Sequence, residues 1–99
     1  TLTEIERAGF EIVDVDGLRL HYARTCRHWV ERLGERADEA RALAGERVYR
    51  TWLLYLTCSA VAFSEGSIAL YQVLTRKHGD PKVSPAPHTR EHLYGRAFL

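Results

Sequence analysis

The chain opens with short apolar–polar alternations and then changes to a helical period. In TLTEIERAG, Thr3 and Glu6 have the spacing of a capping box, and Gly9 suits the position just past a helix end, so a short helix is predicted. FEIVDV (Phe10–Val15) reads as a strand with Phe10 and Ile12 on one face and Glu11, Val13 and Val15 on the other. Apolar residues on both faces are the mark of a strand held between layers.

Asp16-Gly17 follows, and an Asp-Gly pair after a strand is a hairpin signal, with LRLHY as the return strand. A second reading competes with it. From Tyr22 onward the apolar positions Tyr22, Cys26, Trp29, Val30 and Leu33 recur at helical spacing, while Arg24, Arg27, His28, Glu31 and Arg32 cover the other side. This predicts an amphipathic helix that starts close to Tyr22 and is interrupted at Gly34.

ERADEARALAG is rich in good helix formers, with Ala37, Ala40 and Ala44 on a weakly apolar face, and Gly45 ends or kinks it. ERVYRTWLLYLTCSAVAF is the most apolar helix, greasy nearly all round between Trp52 and Phe63, and therefore buried on several sides. Ser64-Glu65-Gly66 turns the chain, and SIALYQVLT is a second strand of the interior type. From His78 the composition changes: HGDPKVSPAPH holds all three prolines and reads as a loop, and TREHLYGRAFL as a turn of helix or a loose end. The expected organisation is one portion over residues 1–77 and a Pro-containing tail over 78–99. Two interior-type strands do not make a stable sheet alone. Their faces call for further strands that this sequence lacks, so a piece of a longer protein is expected.

Composition changes this picture little. The chain has 99 residues and no Met, which agrees with a piece or a processed chain. Fourteen Lys and Arg against 13 Asp and Glu give a net charge of +1, which offers no general pull toward nucleic acid. The apolar run around WLLYL is interrupted by Thr57 and Ser59 and is too short to span a bilayer. Cys26 and Cys58 are expected as free thiols, not as a disulfide or a metal site. His88 and His92 in HTREH have helical metal-ligand spacing, but no third ligand is evident, and no metal is expected.

Several stretches together resemble a known family. HYART (His21–Thr25) with Trp29 four residues later, YL (Tyr55, Leu56) with Phe63 beyond it, and YQV closing the last strand resemble the carboxyl-terminal region of cyclopropane-fatty-acyl-phospholipid synthases and mycolic acid cyclopropane synthases. The match runs from about Leu2 to Lys77 without large gaps. Each motif is weak alone; their order and spacing make the set fairly specific. Departures are Cys26, where the family commonly has Leu, and Cys58-Ser59 in place of a Gly-Cys or other small pair.

The resemblance implies an α/β fold: the carboxyl-terminal part of a Rossmann-like methyltransferase, with two antiparallel terminal strands and a helical insertion between them. It implies S-adenosylmethionine as cofactor, bound upstream of this chain, since no Gly-x-Gly follows a strand here. It implies methyl transfer to the cis double bond of a lipid acyl chain, with a bound bicarbonate ion taking the proton as the ring closes. The family's bicarbonate site includes the Tyr of this motif, Tyr22; its other side-chain ligands, a Glu and a His, lie upstream. Cys26, Tyr55, Ser59 and Phe63 correspond to positions that help line the acyl pocket. The implied setting is cytoplasmic and peripheral to the membrane, with phospholipid acyl chains as partners; the sequence leaves the oligomeric state open, with a homodimer among the alternatives.

Each assignment has an ordinary counterpart. Tyr22 also reads as a helix-start aromatic packed in the core with its hydroxyl at the surface. A phenol there suits an anion because it donates without neutralising the base it holds. His21 points away from its neighbour and reads as solvent-facing or capping. Tyr55, Ser59 and Phe63 at i, i+4 spacing also read as plain core, although aromatic walls suit both a lipid tail and a carbocation. The arginines of the first long helix read as a solvated face that can also meet anionic headgroups. The alternative for the whole chain is a non-catalytic helical binding or dimerisation module.

Overall fold

The structure, a computed structural model, describes residues 1–82, 85 and 88–91. The elements in order are α1 (Leu2–Arg7), β1 (Phe10–Gly17), α2 (Arg19–Glu35), α3 (Ala37–Ala44), α4 (Glu46–Glu65) and β2 (Tyr71–Lys77). The two strands form an antiparallel sheet, and three helices intervene between them, as the sequence predicts. The chain divides into two units: Thr1–Val15 with Val73–Leu99, and Asp16–Gln72.

In the first unit, α1 begins at Leu2 with Thr1 as N-cap and no side-chain cap bond. The capping box expected at Thr3 and Glu6 therefore does not form. The Thr1 carbonyl instead accepts from the Glu4 and Ile5 amides, which starts the helix two residues earlier. Gly9, at φ +89°, turns the chain into β1. At this end of the sheet the His78 amide donates to the Gly9 carbonyl at 2.9 Å, and Arg76 of β2 pairs with Glu11 of β1. No residue of either strand is buried. Both were expected to be interior; among the described residues the sheet has only these two strands, so each has an unpaired edge.

The second unit is helical. Asp16-Gly17 makes no hairpin: Gly17 remains in the strand, and α2 starts at Arg19, three residues before the predicted start. The Tyr22 amide donates to the Leu18 carbonyl at 2.9 Å, which fixes that earlier start. Gly34 does not interrupt α2, which continues to Glu35; the break comes at Arg36, with φ −114° and ψ 30°. The α3–α4 corner turns at Gly45, whose φ of +85° and ψ of 161° suit a residue without a Cβ. Tyr49, just inside α4, is buried there with the Arg41 guanidinium 4.5 Å above its ring.

The end of α4 accounts for another difference. The helix runs through Ser64 and Glu65, and only Gly66 turns, in the left-handed conformation at φ +86°. The Ser67 and Ile68 amides donate back to the Ala62 carbonyl and are thereby withheld from the sheet. The predicted strand SIALYQVLT accordingly begins only at Tyr71. One residue earlier, the Leu70 carbonyl accepts from the Leu18 amide at 2.8 Å.

Candidate functional site

The core of the helical unit lies between α2 and α4, where Ala23, Cys26, Ala60 and Phe63 form a buried cluster with Tyr22 and Leu70 packed against it. Small side chains on both helices, Ala23 facing from α2 and Ala60 from α4, let the backbones approach closely. The aromatic pair then fills the space beside them: the Tyr22 and Phe63 ring centroids are 5.7 Å apart and the planes inclined by 51°.

Tyr22 is half-buried. Its hydroxyl makes no hydrogen bond among the described residues, yet no buried side-chain polar atom among them lacks a partner. The ring is thus held against Phe63 while the hydroxyl stays open to a further acceptor. Cys26, one turn along α2, is 3% exposed and free. Its thiol lies among the apolar side chains of the cluster and packs as a small hydrophobe.

The predicted residues do not all come together. Phe63 and Cys26 join Tyr22 in one cluster. Ser59, a turn before Phe63 on α4, is half-buried. Tyr55 stands outside the cluster: it is 60% exposed, and its ring meets Trp52 edge-on at 5.6 Å and 89°. Further along the same α2–α4 seam, Trp29 and Leu33 of α2, Leu43 of α3, and Trp52 and Leu56 of α4 line an apolar groove of about 450 Å³. His21 is exposed, as expected of a residue pointing away from its neighbour. His92 lies outside the described residues. No group of three potential ligands for a metal ion occurs among the described ones.

Sequence reasoning missed the contact that ties α2 to the end of α4. Arg19 Nη1 donates to the Phe63 carbonyl at 2.6 Å and to the Ser64 carbonyl at 3.0 Å. Arg27 adds a bond from Nη2 to Ser64 Oγ at 2.7 Å, and Ser64 Oγ donates to the Ala60 carbonyl at 2.8 Å. A signal for Arg19 does exist. It is a cation at the first position of a helix that has no acidic residue in its first turn, against the sense of the helix dipole.

Known proteins are similar to this chain in sequence and in fold. A family model described as mycolic acid cyclopropane synthetase matches residues 1–73. A probable fatty acid methyltransferase of Pseudomonas putida is 46% identical over 87 residues, which is 88% of this chain and 22% of that protein. A methoxy mycolic acid synthase of Mycobacterium tuberculosis is 38% identical over 74% of this chain and 25% of its own length. The solved structure of the cyclopropane synthase MmaA2 from Mycobacterium tuberculosis superposes with a TM-score of 0.74 at 36% identity, covering 77% of this chain and 27% of that one. The chain thus spans about a quarter of the length of the proteins it matches.

Proposed function

Since the chain belongs to the mycolic acid cyclopropane synthetase family, we propose that it is the carboxyl-terminal part of an S-adenosylmethionine-dependent C-methyltransferase. The enzyme transfers a methyl or methylene group to the double bond of an unsaturated lipid acyl chain, as in cyclopropane fatty acid synthesis. One observation carries the reading for this chain's own residues. A tyrosine hydroxyl with no partner among the described residues is held at the edge of an aromatic and apolar cluster.

That hydroxyl suits a small anion. Tyr22 would donate a hydrogen bond to a bicarbonate ion, which when bound supplies the base for the proton lost as the ring closes. A neutral phenol orients such an ion without the drop in basicity that a neighbouring cation would cause. Phe63 fixes the direction of the Tyr22 ring and offers its own face to positive charge developing on the acyl chain. Cys26 is buried in the same seam, and the groove lined by Trp29, Leu33, Trp52 and Leu56 has the size and character to take methylene groups.

The chain holds no glycine-rich turn of the kind that cradles S-adenosylmethionine. Its glycines at positive φ (Gly9, Gly45, Gly66 and Gly79) stand singly, none in a Gly-x-Gly turn after a strand. On this reading the glycine-rich cofactor turn of such an enzyme would be supplied by residues outside this chain. The same reading places the enzyme at the cytoplasmic face of a membrane as a peripheral protein. No described helix is long and apolar enough to cross a bilayer.

The test is an assay of the full-length protein with isotopically labelled S-adenosylmethionine and vesicles of unsaturated phospholipid. Label recovered in acyl chains one carbon longer in mass, with the double bond consumed, is the expected result. Label recovered only in other acceptors, or in none, contradicts the proposal.

A further inference from the structure

We propose that Arg19 is a positioning residue for the Tyr22–Phe63 pair, an inference that rests on the reading of Tyr22 given above. A helix leaves its last carbonyls without intrahelical donors and carries partial negative charge at that end. In α4 the capping amides of Gly66, Ser67 and Ile68 all converge on the Ala62 carbonyl. The next two carbonyls, of Phe63 and Ser64, are the ones that Arg19 Nη1 takes at 2.6 and 3.0 Å. The contact is partly buried and joins residues 44 apart in sequence.

The placement of the clamp gives it a specific consequence. Phe63 is held twice from α2: its carbonyl by Arg19, and its ring by Tyr22, which lies three residues further along the same helix face. Loosening the carbonyl lets the last turn of α4 unwind, and the Phe63 ring then leaves the Tyr22 ring. The Tyr22 hydroxyl loses its fixed direction although no atom of Tyr22 has been changed. Arg27 provides an internal comparison. It grips the same last turn of α4, but through the Ser64 hydroxyl at 2.7 Å and not through Phe63. Both arginines fasten α4 to α2; only Arg19 holds the residue that orients Tyr22.

The experiment compares Arg19→Lys, Arg19→Ala and Arg27→Ala in the full-length protein. One readout is methyl transfer to unsaturated phospholipid, with kcat and KM measured separately. The other is the fluorine NMR line of Tyr22 in protein labelled with fluorotyrosine, assigned by its loss in Tyr22→Phe. Arg19→Lys keeps the charge but not the guanidinium geometry, and it carries the test if Arg19→Ala fails to fold. Misplacing a reacting group lowers turnover, so kcat should fall by about ten-fold or more in Arg19→Lys while the lipid KM stays within about two-fold. The Tyr22 line should shift or broaden, and guanidinium ion should restore part of the activity of Arg19→Ala. Arg27→Ala should lower the thermal midpoint but leave kcat and the Tyr22 line close to wild type. A Tyr22 line unmoved in both Arg19 variants overturns the proposal, and so does an equal loss of kcat in Arg27→Ala. If the wild-type protein transfers no methyl group to lipid, the proposed function fails, and the Tyr22 line alone still decides whether Arg19 positions the pair.

Discussion

The rings of Tyr22 and Phe63 meet across the α2–α4 seam with centroids 5.7 Å apart and planes 51° from parallel. This tilted contact joins the one predicted catalytic residue to the most bulky side chain of the buried cluster. Phe63→Ala should therefore do two things at once. Loss of a buried phenyl ring costs about 3 kcal/mol of unfolding free energy, and the vacated space frees the Tyr22 ring. Phe63→Leu, which keeps an apolar side chain, should cost clearly less. Urea unfolding of the full-length protein monitors both, and equal midpoints for Phe63→Ala and wild type would contradict the packing described.

Gly66 closes α4 in the left-handed conformation, at φ +86°. A Cβ built there would meet only Arg19 Nη1, at 3.9 Å, which is ordinary contact. The penalty for Gly66→Ala is thus conformational and should amount to about 1 kcal/mol in the same unfolding measurement. A much larger loss would mean that the turn makes steric contacts in the full-length protein, which this chain alone does not contain.

Cys26 is buried and Cys58 is exposed, and both are free. In this chain under native, non-reducing conditions, an aromatic disulfide reagent should modify Cys58 quickly and Cys26 only on unfolding. Two thiols should titrate after denaturation. A mass two hydrogens lower, with no thiol titrating, would show a disulfide and contradict the arrangement.

The isolated 99-residue chain should not bind S-adenosylmethionine, because it has no Gly-x-Gly turn after a strand. Titration calorimetry should show no heat beyond dilution. Micromolar binding by this chain alone would place the cofactor site among residues that the present account leaves out of it.

The α2 stripe was legible because periodicity is a local signal: Tyr22 and Cys26 fall on one helical face, and both face the core. The order of strand, three helices and strand was legible for the same reason. Boundaries were not, where non-local or capping bonds set them. Nothing in SIAL indicates that the Ser67 and Ile68 amides are taken by the Ala62 carbonyl, so the apolar pattern extends four residues ahead of the start of the observed strand. Asp16-Gly17 has hairpin chemistry, yet Gly17 stays in the strand beside the Tyr71 ring, 3.7 Å from where a Cβ would lie. Arg19 stayed hidden because its partners are backbone carbonyls, which leave no trace in residue identity. Tyr55 shares its helical face with Phe63 by spacing, but two turns carry it beyond the cluster to Trp52.

The central claim is that the Tyr22 hydroxyl acts and does not merely end a packed ring. Tyr22→Phe removes only that oxygen and keeps the contact with Phe63. In the full-length protein the variant should unfold at the same temperature and bind unsaturated phospholipid as wild type does. Turnover should fall by about ten- to a thousand-fold, the range for disturbing a positioned base or its hydrogen bond. Added bicarbonate should recover part of the loss by mass action on a weakened site. The deciding measurement is the rate of methyl transfer to phospholipid by wild type and Tyr22→Phe across a range of bicarbonate concentrations, at matched thermal midpoints. A large deficit that narrows as bicarbonate rises is the predicted result, and equal rates throughout would contradict the account.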